Sequence, residues 1–349
     1  MNTNETFMNR CLQLAKKGFP AALPNPSVGA VIVCNNKIIG EGFTAAYGGN
    51  HAEVNAINAV VDKSLLSKST LYVSLEPCSH FGKTPPCADL IIAHKIPKVV
   101  IGITDSNEKV KGKGIQKLKN AGIEVELGVL ENQCYESNRR FFTFQNKKRP
   151  YIILKWAESF DGFIAPEDQE IGKSFAISNE ISRQLVHKWR SEEQAILVGT
   201  TTVLKDNPKL DARNWSGKNP VRVIIDKLGK ISEHSFVKDN LVKTIFITEN
   251  KNLISSENTS YEKCVFDERL VFSICEILYN HQIQSVIIEG GTKTIQSFVA
   301  ANLWDEARIF RSNILLQKGI KTPIIKIQNF EKSIILSDEL VVVFNEITK

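Results

Sequence analysis

Short β-branched runs alternate with amphipathic helical stretches along almost the whole chain, and this alternation restricts the possible fold more than any other feature. In the first half VGAVIVC, LYVSL and KVVIGIT read as buried strands bounded by Gly, Pro or Asn. Between them AEVNAINAVV, ADLIIAHK and GIQKLKNAG read as helices, the last closed by a glycine C-cap. Strand and helix in turn predict an α/β layer fold with a mainly parallel sheet. QNKKRP, at 145 to 150, is basic, lacks apolar side chains and ends in proline, so it is read as a linker. A second alternating set follows: YIILKW, NEISRQLVHKWRSEE, AILVG, VRVIID, TIFIT, ERLVFSICEILYN, SVIIEGG and ELVVVF. Two α/β domains are therefore expected, over residues 1–145 and 146–349, and 349 residues suffice for two cores.

Several function classes are disfavoured at this stage. The net charge of +6 is scattered with no basic block, which suits anionic small molecules and falls short of a nucleic-acid footprint. No run of eighteen apolar residues occurs, so no membrane span is expected. The N-terminal MNTNETFMNRCLQLAKKGF is amphipathic and lacks the pattern of a signal peptide. Seven cysteines without an export signal point to reduced thiols and a cytoplasmic protein.

Thiols in that setting serve well as metal ligands. HAEVNAI, at 51 to 57, places His51 and Glu53 at a helix start, and LEPCSHFGKTPPCADL adds Cys78 and Cys87. Zinc takes imidazole and thiolate in a tetrahedron, and a catalytic site keeps three protein ligands so that water fills the fourth place. Glu53 would then carry the proton that such a water releases. A lone histidine here would more often be a helix cap, and lone cysteines more often small core residues. H-x-E followed by P-C-x-x-C is, however, the zinc-deaminase signature. A structural zinc module remains the rival from another class, and it would need His80 or His94 as a fourth ligand.

The spacing between the cysteines departs from that signature, with SHFGKTPP separating them. HAEVNAI together with EPCSHFGKTPPC resembles the bifunctional riboflavin-biosynthesis deaminase/reductase family, in which a long inter-cysteine loop is characteristic. PNPSVGAVIV is similar to that family's first strand and the substrate loop before it, and TDSNEKVKGKG to its D-P-N-x-x-V-x-G-x-G segment. The resemblance continues through KWAESFDGFIA, RSEEQAILVGTTTVLKDNPKLDAR and VIIEGGTKTIQSF, and so covers nearly the whole chain. It implies a cytidine-deaminase-like α/β/α domain followed by a dihydrofolate-reductase-like α/β domain. The implied chemistry is zinc-dependent hydrolytic deamination of a phosphoribosylated diaminopyrimidinone, then NADPH-dependent reduction of the ribosyl group to ribityl. A nucleoside or tRNA deaminase with an appended domain is the rival within the enzyme class, and it fits the long cysteine loop poorly.

In the second half no G-x-G-x-x-G follows a strand, and EGGTKT alone is as easily a tight turn as a phosphate cradle. The resemblance implies cofactor contacts at Glu158, Phe175, Thr202, Asp206, Lys227, Gly290, Gly291, Thr292, Lys293, Thr294 and Ile295. It implies substrate contacts at Lys173, Arg190, Leu210, Arg213 and Glu289, where the arginines suit a phosphate monoester. Three positions depart from the family: Glu158 stands for a small residue, Phe175 for a frequent tryptophan, and Thr44 for a histidine. One zinc per chain, NADPH, a phosphorylated pyrimidine substrate and a homo-oligomer, dimer or tetramer, complete the expectation. Neither nucleic acid nor membrane is expected as a partner.

Overall fold

A computed structural model describes residues 3–81, 85–107, 110–172 and 175–345. The chain divides into two compact units, Met1–Lys147 and Lys148–Lys349.

The first unit runs α1 (Thr3–Gly18), β1 (Gly29–Cys34), β2 (Lys37–Phe43), α2 (Ala52–Ala59), β3 (Thr70–Val73), α3 (Cys87–Ala93), β4 (Lys98–Ile101), α4 (Lys113–Asn120), β5 (Glu124–Leu127), α5 (Glu131–Ser137) and α6 (Arg139–Lys147). Its five strands lie in the order β2-β1-β3-β4-β5. β3, β4 and β5 are parallel, whereas β1 pairs antiparallel with both β2 and β3. The sheet is thus mixed where a mainly parallel one was expected. The cause is β2: KIIGEGF has two glycines and an exposed start, a weak strand signal, yet it makes a hairpin with β1 through the turn at Asn35–Asn36, both at positive φ. Burial of β1 is complete, as its unbroken apolar run requires. Met8, Cys11 and Leu14 of α1, Ala56 and Ile57 of α2 and Ile91 of α3 pack against the strands in one core.

The second unit runs β6 (Tyr151–Glu158), β7 (Phe163–Pro166), α7 (Glu180–Glu192), β8 (Ala195–Gly199), α8 (Thr200–Asp206), β9 (Val221–Ile225), β10 (Thr244–Thr248), β11 (Thr259–Lys263), α9 (Leu270–Asn280), β12 (Ser285–Gly290), α10 (Thr292–Ala300), β13 (Glu306–Arg311), β14 (Gly319–Lys321), β15 (Asn329–Ile335) and β16 (Asp338–Phe344). Nine strands form one sheet, β11-β10-β9-β8-β12-β6-β13-β16-β15. All of its pairs are parallel except those of β16 with β13 and β15. Side chains from both faces of this sheet are buried, in separate clusters that include Ile152, Leu154 and Ile288 on one face and Ile153, Ile287 and Phe310 on the other.

The stretch QNKKRP has more structure than a linker would. Its first three residues finish α6, and Arg149 is buried with a fork of hydrogen bonds onto Asp305 at 2.6 and 2.9 Å. A guanidinium removed from water needs such a partner, so Arg149 pins the start of β6 to the strand end at β13.

Candidate active sites

In the first unit two chain segments converge at one edge of the sheet. His51 is the residue just before α2, with extended backbone, and its side chain does not cap the helix and so is free to ligate. Cys78 follows β3, and Cys87 opens α3. The His51 Nδ1 atom lies 3.6 Å from the Cys78 Sγ and 3.3 Å from the Cys87 Sγ, and all three donor atoms fall within 4.8 Å of one another. Zn–S bonds of about 2.3 Å and Zn–N bonds of about 2.0 Å in a tetrahedron demand donor separations of roughly 3.5–3.8 Å. Both the spacing and the soft N/S donor set fit zinc. The Cys87 backbone N–H donates to the Cys78 sulfur at 3.3 Å. Hydrogen bonding from Cys87 and then His51 hold the Cys78 thiol well below its usual range, against burial, while sharing with Cys78 drives Cys87 up. One thiolate is therefore favoured even before a cation adds its charge.

Glu53, in the first turn of α2, is only 4 % exposed. Burial first, and then the charge of Cys78, push its carboxyl up to about 7. Neither His80 nor His94 joins the cluster among the described residues, and His80 is exposed. Thr44, standing where the family carries histidine, is buried and accepts the Val28 N–H at 3.0 Å, tying the segment before β1 to the end of β2.

In the second unit Glu158, Thr202, Lys227 and the 290–295 turn fall at the carboxyl ends of parallel strands, where open α/β sheets bind ligands. β8 and β12 are neighbours, each followed directly by a helix. A Cβ on Gly290 would lie 3.0 Å from the Thr202 Oγ1, so glycine is what lets these two turns approach. Thr202 and the 290–294 turn are thereby brought together. Ile295 is buried in the core, and only its backbone, which donates to the Gly291 carbonyl at 3.1 Å, belongs to the turn. Asp206 accepts from Gln169 at 2.7 Å. Lys227 follows β9 and pairs with Glu249 at 3.4 Å. Glu158, at the end of β6, accepts from the Trp156 Nε1 and the Arg311 Nε, both at 2.8 Å. Phe175 is exposed.

Among the substrate candidates, Arg190 and Glu289 meet across 99 residues of sequence: the Arg190 Nε and Nη2 donate to the two Glu289 oxygens at 2.9 and 2.7 Å. The remaining Arg190 Nη1 donates to the Asp211 carbonyl at 3.1 Å. The fork that a phosphate could have used is thus held by a carboxylate. Burial would raise Glu289, but Arg190 and Lys155 override it and hold the carboxyl at about 2. Leu210 is a core side chain, Arg213 is an exposed cation paired with Asp211, and Lys173 lies outside the described residues. Sequence reasoning passed over Lys155, whose amine is held below its usual range by burial, with Glu289 opposing and Arg190 reinforcing. Its signal was present: one cation inside the otherwise apolar YIILKW.

The comparisons with known proteins follow the same division. Residues 1–103 match the cytidine and deoxycytidylate deaminase zinc-binding region, and residues 150–339 match the RibD C-terminal domain. The riboflavin biosynthesis protein RibD of Aquifex aeolicus is 37 % identical over 335 residues, covering 95 % of this chain and 93 % of its own length. The chain belongs to the RibD family. The Bacillus amyloliquefaciens RibD is 38 % identical, with 94 % of this chain and 89 % of the relative covered. Among solved structures, the Thermotoga maritima diaminohydroxyphosphoribosylaminopyrimidine deaminase/5-amino-6-(5-phosphoribosylamino)uracil reductase is 39 % identical with a TM-score of 0.86, and Acinetobacter baumannii RibD is 29 % identical with a TM-score of 0.87. In each case 98 % of both chains is covered. As a RibD, the protein is a bifunctional deaminase and reductase of riboflavin biosynthesis, with a zinc-binding deaminase domain and a reductase domain of a family that is NADPH-dependent. Among the described residues no helix is long and apolar enough to cross a membrane.

Proposed function

We propose that the first unit hydrolytically deaminates 2,5-diamino-6-(5-phosphoribosylamino)pyrimidin-4-one at the His51, Cys78 and Cys87 centre. The observation that carries this reading is the donor cluster, with His51 at 3.3 and 3.6 Å from the two sulfurs, in the same segment as the buried Glu53. His51, Cys78 and Cys87 would hold a zinc ion, which would supply a lowered pKa to a water bound beside Glu53. Glu53 takes the proton released as the water oxygen adds to the amine-bearing carbon. It gives that proton to the ring nitrogen, then takes the remaining proton of the added hydroxyl as the C=O bond forms and gives it to the amine, which leaves as ammonia when the C–N bond breaks. Zinc analysis tests the ligand set: about one zinc per chain in the wild type, lost in Cys87→Ser. Zinc that stays bound in that variant would remove Cys87 from the set.

The second unit is proposed to reduce the ribosyl group of the deaminated product to ribityl, NADPH supplying the hydride. Thr202 and the 290–294 turn, with the backbone at Ile295, are assigned to the cofactor on the strength of their shared strand edge, and Asp206, Lys227, Glu158 and Phe175 by family resemblance. Arg190 and Glu289 act as one fixed unit beside Lys155. Lys173 and Arg213 supply positive charge for the phosphate, and Leu210 shapes the loop that leads from α8 to Arg213. The domain boundary is placed at Lys147/Lys148, two residues beyond the boundary expected from sequence.

The protein is further proposed to act as a cytoplasmic homo-oligomer, a dimer or tetramer. Its seven cysteines are all free thiols, as a reducing compartment keeps them. β15 lies at the sheet edge with Phe330 and Ile334 exposed at 45 and 71 %, and an open sheet edge is a template for strand pairing. Sedimentation of the purified chain tests the assembly, and a monomer at micromolar concentration would contradict it.

A further inference from the structure

The deaminase mechanism uses Glu53 but leaves a second buried carboxylate, Glu76, two residues before the ligand Cys78. Glu76 is 4 % exposed. Each of its oxygens accepts two backbone N–H groups: Asp105 at 3.2 Å and Gly112 at 2.9 Å on one, Gly114 at 2.9 Å and Ile115 at 3.2 Å on the other. A carboxylate has about four lone-pair sites, so all of them are occupied. Three of the donors belong to the first turn of α4 and the residue before it, where unpaired N–H groups gather and negative charge is favoured. The fourth, Asp105, lies beyond the end of β4.

The contact is close enough to be specific. A Cβ on Gly114 would stand 2.0 Å from the Pro77 carbonyl, so the α4 start is seated directly on the Glu76–Pro77 turn that leads into Cys78. The Glu76 N–H also donates to the Ile103 carbonyl at 2.9 Å. β3 and β4 are parallel neighbours, so the segments that follow them emerge side by side at the carboxyl edge where the zinc ligands gather. On the second segment Asp105 is buried, and the Ser106 hydroxyl is buried with no hydrogen-bond partner among the described residues. A buried hydroxyl without a partner is uncommon and costly, which suits a group waiting for a ligand, whereas the Asp105 Oδ1 accepts the Asn107 N–H at 2.7 Å. Burial first, and among the smaller causes the charge of Cys78, raise the Asp105 carboxyl to about 6, in keeping with a place close to the metal ligands.

We propose that Glu76 is a positioning residue for deamination: it ties the segment at Asp105 and Ser106 to the metal-bearing turn, so that these two side chains bind the polar, ribosyl-bearing part of the pyrimidine substrate. This rests on the first unit being the deaminase assigned above. It separates two roles held by carboxylates of one site, since Glu53 moves protons and Glu76 holds the wall that receives substrate.

The test compares Glu76→Gln and Glu76→Asp with wild type in the full-length, zinc-loaded enzyme. Deamination of the phosphoribosylated diaminopyrimidinone is followed for kcat and KM, with zinc content, reduction of separately supplied deaminated product, and hydrogen exchange over residues 103–118 read in parallel. Glutamine replaces one acceptor oxygen with a donor group and leaves two N–H groups unpaired, so a rise in KM of about tenfold or greater is expected. The account expects that rise with kcat changed less than about threefold, full zinc, unchanged reduction and faster exchange confined to 103–118. Glu76→Asp keeps the charge but withdraws it by one methylene, and should fall between the two. An unchanged KM in both variants overturns the proposal, whether or not exchange quickens. So does a loss of zinc or of reduction that accompanies the KM effect, because Glu76 would then only hold the fold together. A wild type that fails to deaminate at all would instead sink the underlying assignment, and Glu53→Gln, with kcat lowered at unaltered KM, separates the proton-carrying role from the positioning one.

Discussion

Arg190→Ala is the substitution whose consequences the structure specifies most fully. Arg190 and Glu289 are 13 and 9 % exposed at their side chains and share two hydrogen bonds of 2.7 and 2.9 Å. Truncation leaves Glu289 as a buried charge opposed only by Lys155 and His187. A carboxyl moved from 4.5 to about 2 by its surroundings is stabilised by roughly 3 kcal/mol in its charged form. Breaking a buried pair by removing one partner costs about 3–5 kcal/mol, and the two estimates agree. The assay is helped by the placement of the four tryptophans, Trp156, Trp189, Trp215 and Trp304, all in the second unit. Their fluorescence in urea therefore follows that unit alone, and a loss of about 3 kcal/mol moves the midpoint by roughly 1–2 M. Because the folded pKa of Glu289 is depressed, the contribution of the pair is fully present above pH 4.5 and disappears as pH falls toward 2. The gap between variant and wild type should narrow as pH falls, because burial without Arg190 lifts the Glu289 carboxyl in the variant and its protonation removes the unpaired charge. Reduction should fall sharply while zinc content and deamination stay unchanged, and Arg190→Lys should recover only part of the loss, since lysine cannot engage both carboxylate oxygens. A midpoint within a few tenths of a molar of wild type, with normal reduction at limiting substrate, would refute the reasoning.

The other expectations are shorter. Glu53→Gln should retain zinc and lose deamination by about two to four orders of magnitude, because the amide keeps the shape but cannot carry the proton; normal turnover would mean that another group does. A chain ending at Lys147 should fold and deaminate alone, since residues 1–147 form a compact unit with their own core; an insoluble fragment beside active full-length enzyme would contradict that. Arg213→Ala should raise the KM of reduction with little effect on stability, its side chain being half exposed; unchanged kinetics would return Arg213 to the status of a surface charge. Chelation should abolish deamination and leave reduction of supplied intermediate intact.

How much of this could be read from the sequence depended on how local each signal was. The strands YIILKW, AILVG, TIFIT and SVIIEGG were legible because full burial demands unbroken apolar runs. β11, TSYEK, and β15, NFEKSII, were missed because edge strands carry polar side chains that resemble loops. The antiparallel pairing of β2 was hidden, because a strand signal weakened by two glycines does not announce its partner. At the metal centre, His51 with Glu53 and the Pro-Cys turn form two short motifs that carry their own chemistry, so their meeting could be anticipated. The link between Arg190 and Glu289 spans 99 residues, and no local pattern announces that one arginine's fork is committed to a particular carboxylate. Glu76 is the same case: its four partners are backbone amides, which carry no side-chain signature.

The central claim is that one chain carries out two successive steps on one pyrimidine, and identification of products by mass tests it most directly. Purified full-length protein is incubated with 2,5-diamino-6-(5-phosphoribosylamino)pyrimidin-4-one, with and without NADPH. Without NADPH the account predicts a product in which a single amino group has been replaced by oxygen, together with released ammonia. With NADPH it predicts that same product carrying two additional hydrogens. Substrate recovered unchanged under both conditions, or reduction that proceeds with no prior deamination, would contradict it.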